Sequence, residues 1–90
     1  MKPDVCTLKD FEEIKDSDLL IAIPGDPPSG GVHIELGWAS AMNKNIIILL
    51  EKGKRYCDLA NGLAIVANVK YIRYKEIRDC FPEIDKIIGV

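Results

Sequence analysis

The sequence predicts an α/β domain with three layers, a small parallel sheet with helices on both faces, and three observations carry that prediction. Residues 19–23 and 45–50 are near-continuous apolar runs of strand length, the kind buried on both sides in parallel sheets. Stretches with apolar residues at helical spacing lie between and around them. Turn formers, the 24–31 segment above all, separate the two kinds of pattern.

In chain order, Thr7 is expected to cap a first helix over residues 8–15, with Leu8, Phe11 and Ile14 on its buried side. Residues 19–23 form the first strand. The proline- and glycine-rich 24–31 stretch can continue neither strand nor helix. A central helix over 32–42 follows, with Ile34, Leu36, Trp38, Ala39, Ala41 and Met42 as its apolar residues, and Asn43 stops it. Residues 45–50 are the second strand, and 51–55 a polar loop with a local basic cluster of Lys52, Lys54 and Arg55. A third helix is expected over 58–67, a third strand over 69–74 and a last helix over 75–88. Strands alternating with helices imply right-handed crossovers.

Ninety residues make one domain, 1–90, that buries roughly 60–65% of its unfolded surface, so a homodimer or higher homo-oligomer is expected to help it. With 48% hydrophobic and 29% charged residues the composition is that of a soluble globular protein, and no apolar run approaches the roughly 20 residues of a membrane helix. The first residues lack a signal-peptide core, so a cytoplasmic location is expected. A net charge of −2 argues against a polymeric nucleic-acid partner. Cys6, Cys57 and Cys80 have no CxxC spacing and are expected to be reduced structural thiols. With His33 the sole histidine, neither a His-rich metal centre nor a Ser-His-Asp arrangement is expected. Chemistry is therefore expected to rest mainly on carboxylates and hydroxyls.

The 18–51 stretch holds the candidate site. In open parallel sheets the ligand crevice lies beyond the carboxyl ends of the strands, where the 24–31 loop must sit. Gly25, Asp26, Ser29, Gly30 and Gly31 form the candidate substrate-binding loop, and the helix start behind it would hold an anion or a sugar hydroxyl. The same composition serves a plain tight connection equally well, and the spacing fits neither a GxGxxG fingerprint nor a P-loop. Glu35 is expected in the first turn of the central helix. Acidic residues there are common through the helix dipole alone. The dipole would also keep Glu35 ionised while Ile34, Leu36 and Trp38 partly dry it, which describes a potential nucleophile at a sugar carbon.

Asp10, then Asp18 eight residues on at the mouth of an apolar strand, then Ser29 six residues before Glu35-Leu36-Gly37, form an ordered pattern. With the small-residue helix and the Asn-Lys-Asn-Ile-Ile-Ile strand after it, the 10–50 stretch resembles the nucleoside 2-deoxyribosyltransferase family, which includes the deoxynucleoside 5′-monophosphate N-glycosidases. The resemblance implies a Rossmann-like, flavodoxin-like fold acting on a small nucleoside or nucleotide. It implies Glu35 as the nucleophile at the anomeric carbon and Asp10 as the acid that assists the departing base or holds the nucleophile's geometry. Asp18 is implied as a structural position before the strand, and Ser29 as the 5′-phosphate site in place of the Asp that receives a free sugar hydroxyl. Asn61 and Leu63 resemble an Asn-x-Met pair that family members lend to a neighbouring subunit's pocket. The mechanism implied is retaining, with capture of the sugar by water or a second base, and it requires neither a metal nor an organic cofactor.

The resemblance departs at the amino end. Family members open with a strand and a Gly-Pro-type loop that wall the base pocket, whereas only residues 1–6 precede the first helix here. A missing strand would leave an exposed sheet edge and an incomplete base site, and three explanations stand open: a shortened member, a fragment, or a protein that assembles its pocket across subunits. Two functions follow: cleavage or transfer at an N-glycosidic bond, or a non-catalytic nucleotide-binding or assembly module that retains the scaffold.

Overall fold

A computed structural model describes residues 2–25 and 30–89. Its centre is strand β2, Asn45–Glu51, where Ile46, Ile47, Ile48, Leu49 and Leu50 are all buried. Burying five consecutive aliphatic side chains is possible only for a strand covered on both faces, and each contributes about 1.5–3 kcal/mol. Strand β1, Leu19–Ala22, lies parallel on one side of it with Leu19 opposite Asn45 and Ala22 opposite Ile48. Strand β3, Asn68–Tyr74, lies parallel on the other, from Asn45 opposite Asn68 to Glu51 opposite Tyr74. The order is therefore β1-β2-β3, with β1 and β3 at the edges.

Alternation along β2 sends its side chains to two cores. Ile46, Ile48 and Leu50 join Ile14, Ala22, Leu36 and Ala39 beneath helices α1, Pro3–Asp16, and α2, Gly30–Ala41. On the other face Ile47 and Leu49 meet Ile72 and Cys80 beneath helix α4, Cys80–Ile88. The predicted three-layer arrangement of a small parallel sheet between helices is what the chain adopts. Among the described residues no helix is long and apolar enough to cross a membrane.

Several boundaries move from their expected positions, each for a local reason. Helix α1 begins at Pro3 and leaves Thr7 in its interior, because proline's fixed φ suits the first helical position and Asp4 follows in the first turn. Strand β1 ends at Ala22, one residue short, and β2 and β3 each gain one. Asn43 ends the α2 region as expected, in the left-handed conformation at φ 58°. The expected 58–67 helix splits into the four-residue α3, Asp58–Asn61, and a 3₁₀ turn, Leu63–Ile65, on either side of Gly62. The last helix starts at Cys80 rather than 75, after a 3₁₀ turn at Ile77–Asp79. Pro82 is tolerated only in a first turn, where its missing N–H has no partner to lose. Gly89, at φ 82°, closes α4 with its N–H donating to the Asp85 carbonyl.

Candidate functional site

Glu35 lies on α2, on the side turned toward α1. The first helical residue is Gly30, so Glu35 is sixth in the helix and falls in the second turn, not the first. The correction matters electrically. A dipole effect fades beyond the first turn, and the surroundings of Glu35 are acidic. Partial burial first, then the charge of Asp10, then that of Glu13, raise its carboxyl above the ordinary glutamate range. The expectation that helix geometry keeps Glu35 readily ionised is thus reversed: its proton is held more tightly than usual. Asp10 and Glu13 are one helical turn apart, on one face of α1, which points both at α2.

Two aromatic rings set this seam. Phe11 and Trp38 meet edge to face with centroids 5.2 Å apart. Each is the immediate or near neighbour of a carboxylate in question. At the far end of the pair of helices, the Lys44 ammonium donates to the Lys15 carbonyl at 2.8 Å, tying the end of α1 to the turn before β2.

The predicted binding loop divides. Asp26 and Ser29 lie outside the described residues. Gly25 is exposed after the buried Pro24, and Gly30 and Gly31 are exposed as the first two residues of α2. Asp18 is exposed, and its carbonyl accepts the Asn45 N–H at 3.3 Å, a link between the starts of β1 and β2.

Asn61 and Leu63 stand elsewhere. The opposite side of α2, marked by His33, Leu36 and Gly37, faces the 57–66 segment across an apolar cavity of about 600 Å³ that Gly62 and Leu63 also line. A turn of 100° per residue puts these positions well away from the Glu35 side. Leu63 is half-buried, whereas Asn61 is exposed, its amide donating to the Tyr56 carbonyl at 3.3 Å. Tyr71 holds this segment from β3: its hydroxyl donates to the Ala60 carbonyl at 2.8 Å and accepts the Ala64 N–H at 3.3 Å. One copy of the chain therefore brings Asp10 to Glu35 but keeps Asn61 and Leu63 on the far side of α2.

Glu13 escaped the sequence reading, and Tyr71 reads there only as a sheet or surface aromatic. For Glu13 a signal existed, its three-residue spacing from Asp10 on a helix. For Tyr71 none did, since hydroxyl contacts across eleven residues depend on the fold.

Two solved structures are among those similar to the chain. It superposes on the Clostridium botulinum CMP N-glycosidase BcmB with a TM-score of 0.91 and 48% identity, over 97% of this chain and 71% of that one. On the solution structure of BlsM the TM-score is 0.85 and the identity 47%, over 98% of this chain and 55% of that one. The chain thus spans a little over half the length of BlsM. No protein-family model and no curated protein sequence matches it.

Proposed function

The chain belongs to the nucleoside 2-deoxyribosyltransferase-like family, and from that premise we propose that it cleaves the N-glycosidic bond of a nucleotide through the carboxylate of Glu35. The observation that carries this reading is the half-buried seam in which Glu35 feels the charges of Asp10 and Glu13. A site crowded with carboxylates stabilises an oxocarbenium-like sugar by charge. The similarity to a CMP N-glycosidase supports a nucleotide as substrate.

In the proposed cycle Glu35 attacks the anomeric carbon as the bond to the base breaks, and Asp10 supplies the proton that the leaving base requires. Water then attacks the glycosyl ester, gives its proton to Asp10 and releases Glu35. Transfer to a second base follows the same path with that base in place of water. Gly30 and Gly31 at the start of α2, with Ser29 before them, receive the 5′-phosphate.

A second reading, nucleotide binding without turnover, is favoured by one observation: Asn61 and Leu63 do not share the Glu35 side of α2. Release of free base from CMP and from cytidine, measured for the chain and for Glu35→Ala, decides between them. Release that vanishes in the variant supports the enzyme. CMP binding with no release, in a folded sample, overturns it in favour of the binding module.

A further inference from the structure

The basic loop after β2 has no place in the cycle above, yet it starts at the carboxyl edge of the sheet. Lys52, Lys54 and Arg55 put three cations into four residues of a chain whose net charge is −2. They leave the carboxyl end of the central strand, the end at which parallel sheets collect their ligands. Ala22 is level with Ile48, so β1 and β2 run out at the same edge of the sheet, Gly25 standing three residues past Ala22 as Glu51, directly before the basic loop, stands three past Ile48.

The loop is braced at both ends. The Lys52 N–H donates to the Tyr74 carbonyl at 2.7 Å, and the Glu51 N–H donates to the Tyr56 hydroxyl at 2.9 Å. Tyr56 itself packs against the core beneath α1 and α2. Gly53, at φ +82°, supplies the turn between them. Among the described residues neither Lys52 nor Arg55 forms an ion pair, and both side chains are exposed.

We propose that Lys52 and Arg55 recognise the 5′-phosphate of the nucleotide and are what makes the chain prefer a nucleotide to its nucleoside. The proposal rests on the nucleotide reading and adds to it the residues that set the preference. A helix start and a serine hydroxyl supply dipoles only; a dianionic phosphate carried at the edge of an acidic seam needs full charges to offset the repulsion of Asp10, Glu13 and Glu35. Arginine offers a planar fork for two phosphate oxygens, and lysine a point charge beside it.

The test compares CMP with cytidine on the full chain, on Lys52→Ala/Arg55→Ala, and on Lys70→Ala, a control cation on β3 that lines a cavity with Asp18, Asn45 and Asn68 at the amino ends of the strands. Both sites are exposed, so melting temperature should hold. The expected result is a loss of CMP affinity of roughly tenfold or more in the double variant, with cytidine unchanged, the control unaffected, and weaker competition by inorganic phosphate. Equal losses for CMP and cytidine, or none for either, overturn the proposal. If the unaltered chain releases no base from either compound, the glycosidase reading fails on its own, and the same comparison made by equilibrium binding still judges Lys52 and Arg55. Absence of CMP binding to the unaltered chain overturns both.

Discussion

The rings of Phe11 and Trp38 cross at 84°, centroids 5.2 Å apart, and this edge-to-face contact is the pin between α1 and α2. Asp10 adjoins one ring in sequence, and Glu35 lies one helical turn before the other. The pair therefore couples the packing of two helices to the distance between two carboxylates.

Removing the pin should loosen both. Phe11→Ala is expected to cost about 2 kcal/mol of stability, below the range for a fully buried phenylalanine because the ring is half-buried. A double-mutant cycle with Trp38→Ala should return a coupling of about 0.5–1.5 kcal/mol. Urea unfolding measures both, and base release should fall further than the stability loss explains. A coupling near zero would show that α1 is held by other contacts.

The raised carboxyl of Glu35 has two consequences in pH. Between the ordinary value of 4.5 and its higher folded value, the folded chain keeps a proton that the unfolded chain gives up. Stability attributable to this group therefore declines as pH rises through that window and stays lower above it. Glu35→Gln removes the decline. The variant should be at least as stable as the parent at neutral pH while releasing no base, as denaturation across pH 4–8 would reveal. Since a nucleophile must be ionised, base release should also show an acid limb set by Glu35. Glu13→Gln takes away one of the charges that raise it and should shift that limb to lower pH. A limb that stays in place would remove Glu13 from the site.

Thiol reactivity should divide the three cysteines. Burial, then the charges of Asp79 and Glu83, raise the Cys80 thiol, which sits in the core under α4. Cys6 and Cys57 are exposed. A thiol-specific reagent should label Cys6 and Cys57 quickly and reach Cys80 only on unfolding, with mass spectrometry locating each adduct. Labelling of Cys80 at the rate of the others would mean that α4 opens readily from the sheet.

The parallel three-layer plan is legible in the chain alone, because an unbroken run such as Ile46 to Leu50 has few physical uses other than a strand covered twice. So are the stop at Asn43 and the pattern of Asp10, Ser29 and Glu35 that marks the family, since these are local spacings. Helix ends were less legible. Pro3, Gly62 and Pro82 moved them by steric effects that compete with periodicity, and the outcome depends on what each end packs against.

The character of Glu35 came from packing. Spacing offered a helix dipole that would ionise it; packing supplied burial and the carboxylates of Asp10 and Glu13, which act the other way. The same packing put Asn61 and Leu63 across α2 from it. The physical reason is range. Periodicity and turn chemistry act over a few residues and are written in the chain, whereas the field at a side chain is set by which helix faces meet, and that is settled when α1 closes on α2.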